Sequence, residues 1–214
     1  MKQKTKDRYY KFGSYLEEKF GTKVYKITLD AEFSCPNRDG TISNKGCIFC
    51  DETGSFSCAH SSKLTIKEQV QTAINNLPKR FHAKKFIAYF QAYSNTYAQV
   101  SKLKQVYDDA FSDDRVVGIS IGTRPDCIDE EKVKLISAYK NPIVEFGLQT
   151  IHDKTLKLIN RGHNYQCFLD AYNLCKKYGI EVCAHIILGL PNETYEDMME
   201  TARELARLKI DGVK

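Results

Sequence analysis

Cys35, Cys47 and Cys50 lie in one short stretch, Cys35-Pro36-Asn37-Arg38-Asp39-Gly40 through Gly46-Cys47-Ile48-Phe49-Cys50. Three thiolates hold three irons of a [4Fe–4S] cubane and leave the fourth iron open for a substrate or cofactor. The Cys47-x-x-Cys50 pair suits two irons of one cluster, and the spacer of eleven residues lets Cys35 reach a third. The spacer is rich in Asn, Asp, Gly and Ser and reads as loop, with backbone N–H groups free for the cluster sulfurs. Other readings stay open on this segment alone. A Cys-x-x-Cys pair also serves as a zinc half-site or a redox couple. Adding Cys58 would complete a closed four-cysteine zinc knot, the mark of a non-enzymatic binding module.

The 214 residues are 42% hydrophobic and 28% charged, ordinary for a globular chain with one sizeable core or part of a larger one. No apolar run approaches the length of a membrane span, and no apolar segment follows the basic N-terminus as in a secretory signal. Eight cysteines, several on apolar faces, fit a reducing cytoplasm better than a secreted disulfide scaffold. The net charge of +5, with Lys79-Arg80 and Lys84-Lys85 close together, tolerates a nucleic-acid partner without requiring one; a solvated lysine face is the simpler account.

Strand and helix alternate along the chain. A leading helix is expected over 9–20. Strands are expected over 23–29, 86–90, 116–121, 143–149 and 181–188, each run being apolar and β-branched or aromatic. Thr65-Ile66-Lys67-Glu68 is a capping box opening a helix that should stop before Pro78. Helices follow over 97–111, after Asp129, over 165–178 and from Thr194 to Leu208, with helical turns before Asn160. Near-continuous apolar strands of this kind are buried on both faces, as in a parallel α/β sheet or barrel. Residues 210–214 read as entry to a sixth strand, so the chain is expected to be the front part of a longer protein, ending after its fifth βα unit with the edge of the fifth strand exposed.

The unusual polar residues fall just after these strands. The cysteine loop follows the first, Gln91-Ala92-Tyr93-Ser94-Asn95-Thr96 the second and Thr123-Arg124-Pro125-Asp126 the third. Gln149-Thr150 ends the fourth, and Gly189-Leu190-Pro191-Asn192 follows the fifth. In a parallel barrel these positions meet at the C-terminal mouth, where catalytic groups assemble.

With these motifs the chain resembles radical S-adenosylmethionine (SAM) enzymes of the YhcC/YtqA-like family. It is also similar to the catalytic subunit of Elongator in Thr123-Arg124-Pro125-Asp126, Glu145-x-Gly147-x-Gln149 and Asn160-Arg161-Gly162-His163. The likeness covers about residues 20–214. The usual superfamily pattern has a shorter gap between its first two cysteines; the long gap here matches one branch of it, and Phe49 keeps the aromatic before the last cysteine. The resemblance implies a partial TIM-type (β/α)6 barrel over 23–214, incomplete at its C-terminus, behind an N-terminal helical extension, 1–22.

It implies a [4Fe–4S] cluster on Cys35, Cys47 and Cys50, whose open iron binds SAM. Reductive cleavage of SAM then yields a 5′-deoxyadenosyl radical that abstracts a substrate hydrogen. Gln91, Ala92 and Tyr93 occupy the place of the motif that holds the SAM amino group, without its glycines. Gln149 matches a polar ribose contact and Arg161 the arginine on the SAM carboxylate, against the bland reading of a surface charge. Gly122 stands where relatives often have a ribose-binding Glu. His185 replaces an acidic residue, facing ribose or substrate or else resting as a satisfied core histidine. Arg124 and Asp126 either pair or face the substrate, and His163 either stacks on a base or ends a helix. Cys127, Cys167, Cys175 and Cys183 read as small buried hydrophobes. The implied substrate is tRNA, remodelled on carbon 5 of the wobble uridine from carboxymethylaminomethyl to aminomethyl, with a small metabolite as the alternative. The implied partner is an external one-electron reductant of flavodoxin or ferredoxin type.

Overall fold

The computed structural model describes residues 8–51, 54 and 64–214, without the side chains of 78–81. Cys58 and the Lys79-Arg80 side chains therefore lie outside the described residues. Six parallel strands form one sheet: β1 (Val24–Leu29), β2 (Lys85–Phe90), β3 (Val116–Thr123), β4 (Pro142–Gln149), β5 (Glu181–Ile186) and β6 (Gly212–Val213). Their spatial order is their sequence order. Repeated right-handed crossovers in one direction put every returning helix on the same side, so the sheet curls into an arc of a barrel rather than a doubly wound sheet. The returning helices are α2 (Ile66–Phe81), α3 (Val100–Ala110), α4 (Glu130–Ser137), the short α5 (Asp153–Leu158), α6 (Tyr165–Lys177) and α7 (Tyr195–Leu208).

The core lies between these helices and the outer face of the sheet. Ile27, Leu29, Phe86, Phe90, Ile119, Ile121, Val144, Phe146, Val182 and Ala184 meet Val70, Ile74, Leu103, Tyr107, Val133, Ile136 and Phe168 there. Side chains alternate faces along a strand, so the intervening residues face the barrel interior. They are unexpectedly polar: Lys26, Tyr89, Ser120, Glu145 and His185. The expectation of strands apolar on both faces holds for the outer face and for the start of the inner one, where Val24 and Ile87 are buried, while the inner face turns polar toward the strand ends.

A helix before the sheet, α1 (Phe12–Phe20), starts later than the periodicity suggests. It packs Leu16 against Val24 and Ile87 at the start of the strands. Across that end, Tyr15 Oη donates to Glu181 at 2.6 Å and Lys19 Nζ reaches the same carboxylate at 2.6 Å. Lys85 turns to the Phe20 carbonyl at 3.4 Å, so it belongs to this packing and not to a free basic face.

The capping box at Thr65 and Glu68 forms, with Thr65 N–H donating to Glu68 at 2.7 Å and Glu68 N–H to Thr65 Oγ1 at 3.3 Å. The helix it opens runs on through Pro78 to Phe81, against expectation. A proline removes one helical hydrogen bond, and the burial of Val70, Ala73 and Ile74 on the sheet outweighs that loss. Thr194 and Asp197 form the matching box on α7. The exposed sheet edge is not β5: Gly212 and Val213 pair with Cys183 and Ala184.

A buried hydroxyl cluster ties the loop after β2 to the end of β3. Thr123 Oγ1 lies 2.9 Å from Ser94 Oγ and 2.6 Å from Thr96 Oγ1, which donates to the Cys127 carbonyl at 2.8 Å. Thr123→Val keeps the shape and leaves buried hydroxyls short of a partner. It should cost about 1–3 kcal/mol, read as a lower urea midpoint at unchanged slope.

Candidate cluster and cofactor site

The cysteine loop has no helix or strand of its own, so backbone turns and cross-chain anchors shape it. Arg38 and Asp39 N–H groups turn back onto the Cys35 carbonyl at 2.8 and 3.1 Å, and Cys50 N–H onto the Cys47 carbonyl at 3.0 Å. The anchors come from the connection after β4. Ile48 N–H donates to the Ile159 carbonyl at 3.1 Å, and Asn160 Nδ2 to the Gly46 carbonyl at 2.6 Å. Asn37, itself buried, returns a bond to the Asn160 carbonyl at 2.6 Å and lies 3.4 Å from Cys47 Sγ. Asn160 takes φ 53°, a left-handed conformation that Asn tolerates better than most residues.

Cys35, Cys47 and Cys50 line one cavity of about 360 Å³ at the C-terminal mouth of the strands. Phe49, Gln91, Tyr93, Gln149, Arg161 and His185 line it with them. Ala92 does not: its side chain is buried away from the cavity, and its carbonyl accepts from Asn95 Nδ2 at 2.9 Å. Tyr93 lies across Gly54, where an added Cβ would meet the ring at 2.6 Å. That contact requires glycine.

Arg161 is no surface charge. It is 6% exposed, its Nε and Nη2 donate to the Gly147 carbonyl at 3.1 and 2.6 Å, and its Nη1 lies 3.5 Å from Cys47 Sγ. A Cβ on Gly147 would sit 2.5 Å from Arg161 Nη2 and 2.8 Å from Gln149 Nε2, so glycine there makes room for both side chains. Gln149 adopts φ 76° where the β4–β5 register shifts, a strained backbone of the kind found at ligand sites. Gly122 also lines the cavity, and an added Cβ would meet the Phe90 carbonyl at 3.1 Å.

His185 is both cavity wall and partner of a buried acid: its Nε2 lies 2.7 Å from Glu145 Oε2. Glu145 is 1% exposed, ion-paired to Lys26 and hydrogen-bonded by Ser120. Burial pushes its carboxyl up, but the His185 bond and the Lys26 charge outweigh this and hold it below the usual carboxylate range. Cys183 belongs to this group rather than to the apolar core, its sulfur lying within 4.8 Å of the Glu145 and His185 ligand atoms. Cys127 and Cys175 are buried as expected, Cys167 half-buried.

Arg124 pairs with Asp126, Nε to Oδ1 at 2.8 Å and Nη2 to Oδ2 at 2.6 Å, and also lines the cavity. His163 stays beside its own turn, Nδ1 3.2 Å from the Asn164 carbonyl. Burial and the nearby arginines pull its pKa down to about 3, so the ring is neutral near pH 7.

Sequence reading missed Lys26, Tyr89 and Arg38 at this site and gave Glu145 no role of its own. Their signal was available for Lys26 and Glu145: a charge at an alternate position of an otherwise apolar strand.

The donor set fits a cubane with one open iron. Among the described residues, the three sulfurs do not form a set with all ligand atoms within 4.8 Å of one another. A single zinc with sulfurs at about 2.3 Å would draw them closer than that. Side-chain N–H donors reach two of the thiols, Asn37 and Arg161 at Cys47 and Arg38 at Cys50, the kind of bond that tunes an iron–sulfur cluster.

A family model, the radical SAM superfamily, matches residues 39–205. The chain belongs to the radical SAM superfamily. It is 42% identical over 213 residues to YtqA of Bacillus subtilis, a match covering 98% of this chain and 66% of that protein. The chain thus spans just under two-thirds of that curated relative. It is 33% identical over 103 residues to a tRNA uridine(34) acetyltransferase of Dehalococcoides mccartyi, covering 47% of this chain and 22% of the other. In fold it is similar to an archaeal Elp3 from Methanocaldococcus infernus, with TM-score 0.64, 18% identity, and coverage of 89% of this chain and 44% of that one. The [4Fe–4S] cluster and SAM are the cofactors of this radical SAM chain, and together they supply one-electron radical chemistry when bound.

Two outcomes are expected. Alanine at Cys35, Cys47 or Cys50 should remove most bound iron after anaerobic reconstitution, whereas Cys58→Ala should not; a Cys58 variant as empty as Cys47→Ala would make the triad wrong. Glu145 supplies a pH-dependent term. Its folded carboxyl ionises below the unfolded value of about 4.3, so its stabilisation is present above that value and is lost as pH falls toward the folded one. Urea titrations of the cluster-free chain between pH 6 and pH 3 should show a shallower acid loss in Glu145→Gln than in the parent.

Proposed function

We propose that this chain is the core of a radical SAM enzyme that remodels the carbon-5 side chain of the wobble uridine in tRNA, converting carboxymethylaminomethyl to aminomethyl. The observation that carries the substrate class is the likeness to the tRNA uridine(34) acetyltransferase. The net charge of +5 is compatible with a polyanionic substrate. Among the described residues no helix is long and apolar enough to cross a membrane; a cytoplasmic site of action, with an external flavodoxin- or ferredoxin-type reductant, completes the reading.

The residues divide the work. Cys35, Cys47 and Cys50 hold the cluster. Arg161, fixed by its two bonds to the Gly147 carbonyl, binds the SAM carboxylate as a planar donor. Gln91 and Tyr93 border the amino group, and Gln149 the ribose. Phe49 and Tyr93 supply apolar wall that keeps water from a reactive intermediate. His185, oriented by Glu145, faces the substrate side of the cavity and can hold a proton at the atom not bound to the acid.

Mass spectrometry of tRNA nucleosides from a strain lacking the gene tests the substrate. Accumulation of the carboxymethylaminomethyl nucleoside is expected. An unchanged nucleoside profile would sink the tRNA reading and leave a small metabolite as substrate. An anaerobically purified sample that is colourless, with zinc in place of about four irons per chain, would favour the non-enzymatic zinc module.

A further inference from the structure

Arginines stand beside two of the three cysteines, and another shares their cavity. Arg161 Nη1 is 3.5 Å from Cys47 Sγ, and Arg38 Nη1 is 3.6 Å from Cys50 Sγ. Arg124 lines the cavity with Cys35. The SAM carboxylate accounts for Arg161. It leaves Arg38 and Arg124 without a role.

Arg124 is the more telling of the two. It is 2% exposed, and Asp126 occupies its Nε and Nη2. Its Nη1 is buried with no hydrogen-bond partner. Buried donors nearly always find an acceptor; here a guanidinium in the cavity wall keeps one N–H unanswered among the described residues, and with it a buried positive charge that Asp126 offsets. Its backbone is fixed as well, Arg124 N–H donating to Ser94 Oγ at 3.3 Å. Arg38 is held differently. It donates to the Asp51 carbonyl, and its guanidinium lies 5.8 Å from the Tyr93 ring centre.

We propose that Arg38 and Arg124 are tuning residues for the iron–sulfur cluster: Arg38 sets an N–H donor and a positive charge beside Cys50, Arg124 sets a buried positive charge in the wall of the same cavity, and together they raise its reduction potential. This rests on the cluster reading above. Reduction adds one electron, taken from the external one-electron donor, and hence one negative charge. Hydrogen bonds to the sulfurs and nearby positive charge favour that more negative state. Asp126 opposes Arg124, since its carboxylate offsets the guanidinium it positions.

The test is a redox titration of the reconstituted 214-residue chain without SAM, followed by the paramagnetic signal of the one-electron-reduced cluster. Iron per chain and the visible spectrum report separately whether the cluster is there. A parent chain holding zinc and no iron would overturn the cluster reading, and this proposal with it. With the cluster present, Arg38→Gln and Arg124→Gln should keep their iron and lower the ratio of reduced to oxidised cluster at fixed potential. A tenfold loss corresponds to a midpoint about 59 mV more negative for a one-electron couple. Asp126→Asn should move the midpoint the other way, an opposition of sign that loosening of the loop would not produce. Full iron with the parent's midpoint in both arginine variants overturns the proposal. If Arg124→Gln fails to fold, Arg38→Gln and Asp126→Asn decide: an unshifted midpoint in the first, or a negative shift in the second, overturns it.

Discussion

The site depends on one set of contacts between a loop without regular structure and a segment more than a hundred residues away. Nothing in the cysteine loop fixes three sulfurs at once. The mutual bonds of Asn37 and Asn160, and that of Ile48 N–H to the Ile159 carbonyl, close the loop against the turn after β4. The same turn carries Arg161 to the Cys47 sulfur. The cysteine loop and Arg161 are therefore positioned by one packing event, and a shift in either moves both.

The sheet serves this arrangement through the two-residue period of its strands. One face gives an apolar core with the helices, which stabilises the arc. The other carries Lys26, Tyr89, Ser120, Glu145 and His185 into the interior. Buried charges are costly unless paired, and here Lys26, Ser120 and His185 converge on Glu145. The network fixes the His185 ring and leaves it lining the cavity. Glycine at 122 and 147 removes the side chains that would otherwise crowd the mouth.

Much of this was legible in the sequence because it is local chemistry. Strands of apolar and β-branched residues, the boxes at Thr65 and Thr194, and the cap at Asp129 each act within a few residues, and they appear where expected, give or take the ends. Pro78 misled, because proline's cost is local while the packing that overrides it is not. That the three cysteines meet at one cavity was legible because they share a single short loop at the end of a strand. The orientation of the inner strand face was harder to read. A charge in a strand announces itself, but its partner lies on a neighbouring strand whose register no local signal fixes.

By itself, then, the sequence determined the order of strands and helices, the end of the strands at which the motifs fall, and the grouping of three cysteines in one loop. Period, capping and donor chemistry are properties of neighbouring residues. Only the tertiary structure decided that Arg161 and Arg124 are buried, that Ala92 turns away from the cavity while Gln91 and Tyr93 face it, and that arginines stand beside Cys47 and Cys50. Those facts are distances between residues far apart in the chain, such as Arg161 and Cys47. They exist only once the parallel register brings the strand ends to a common mouth.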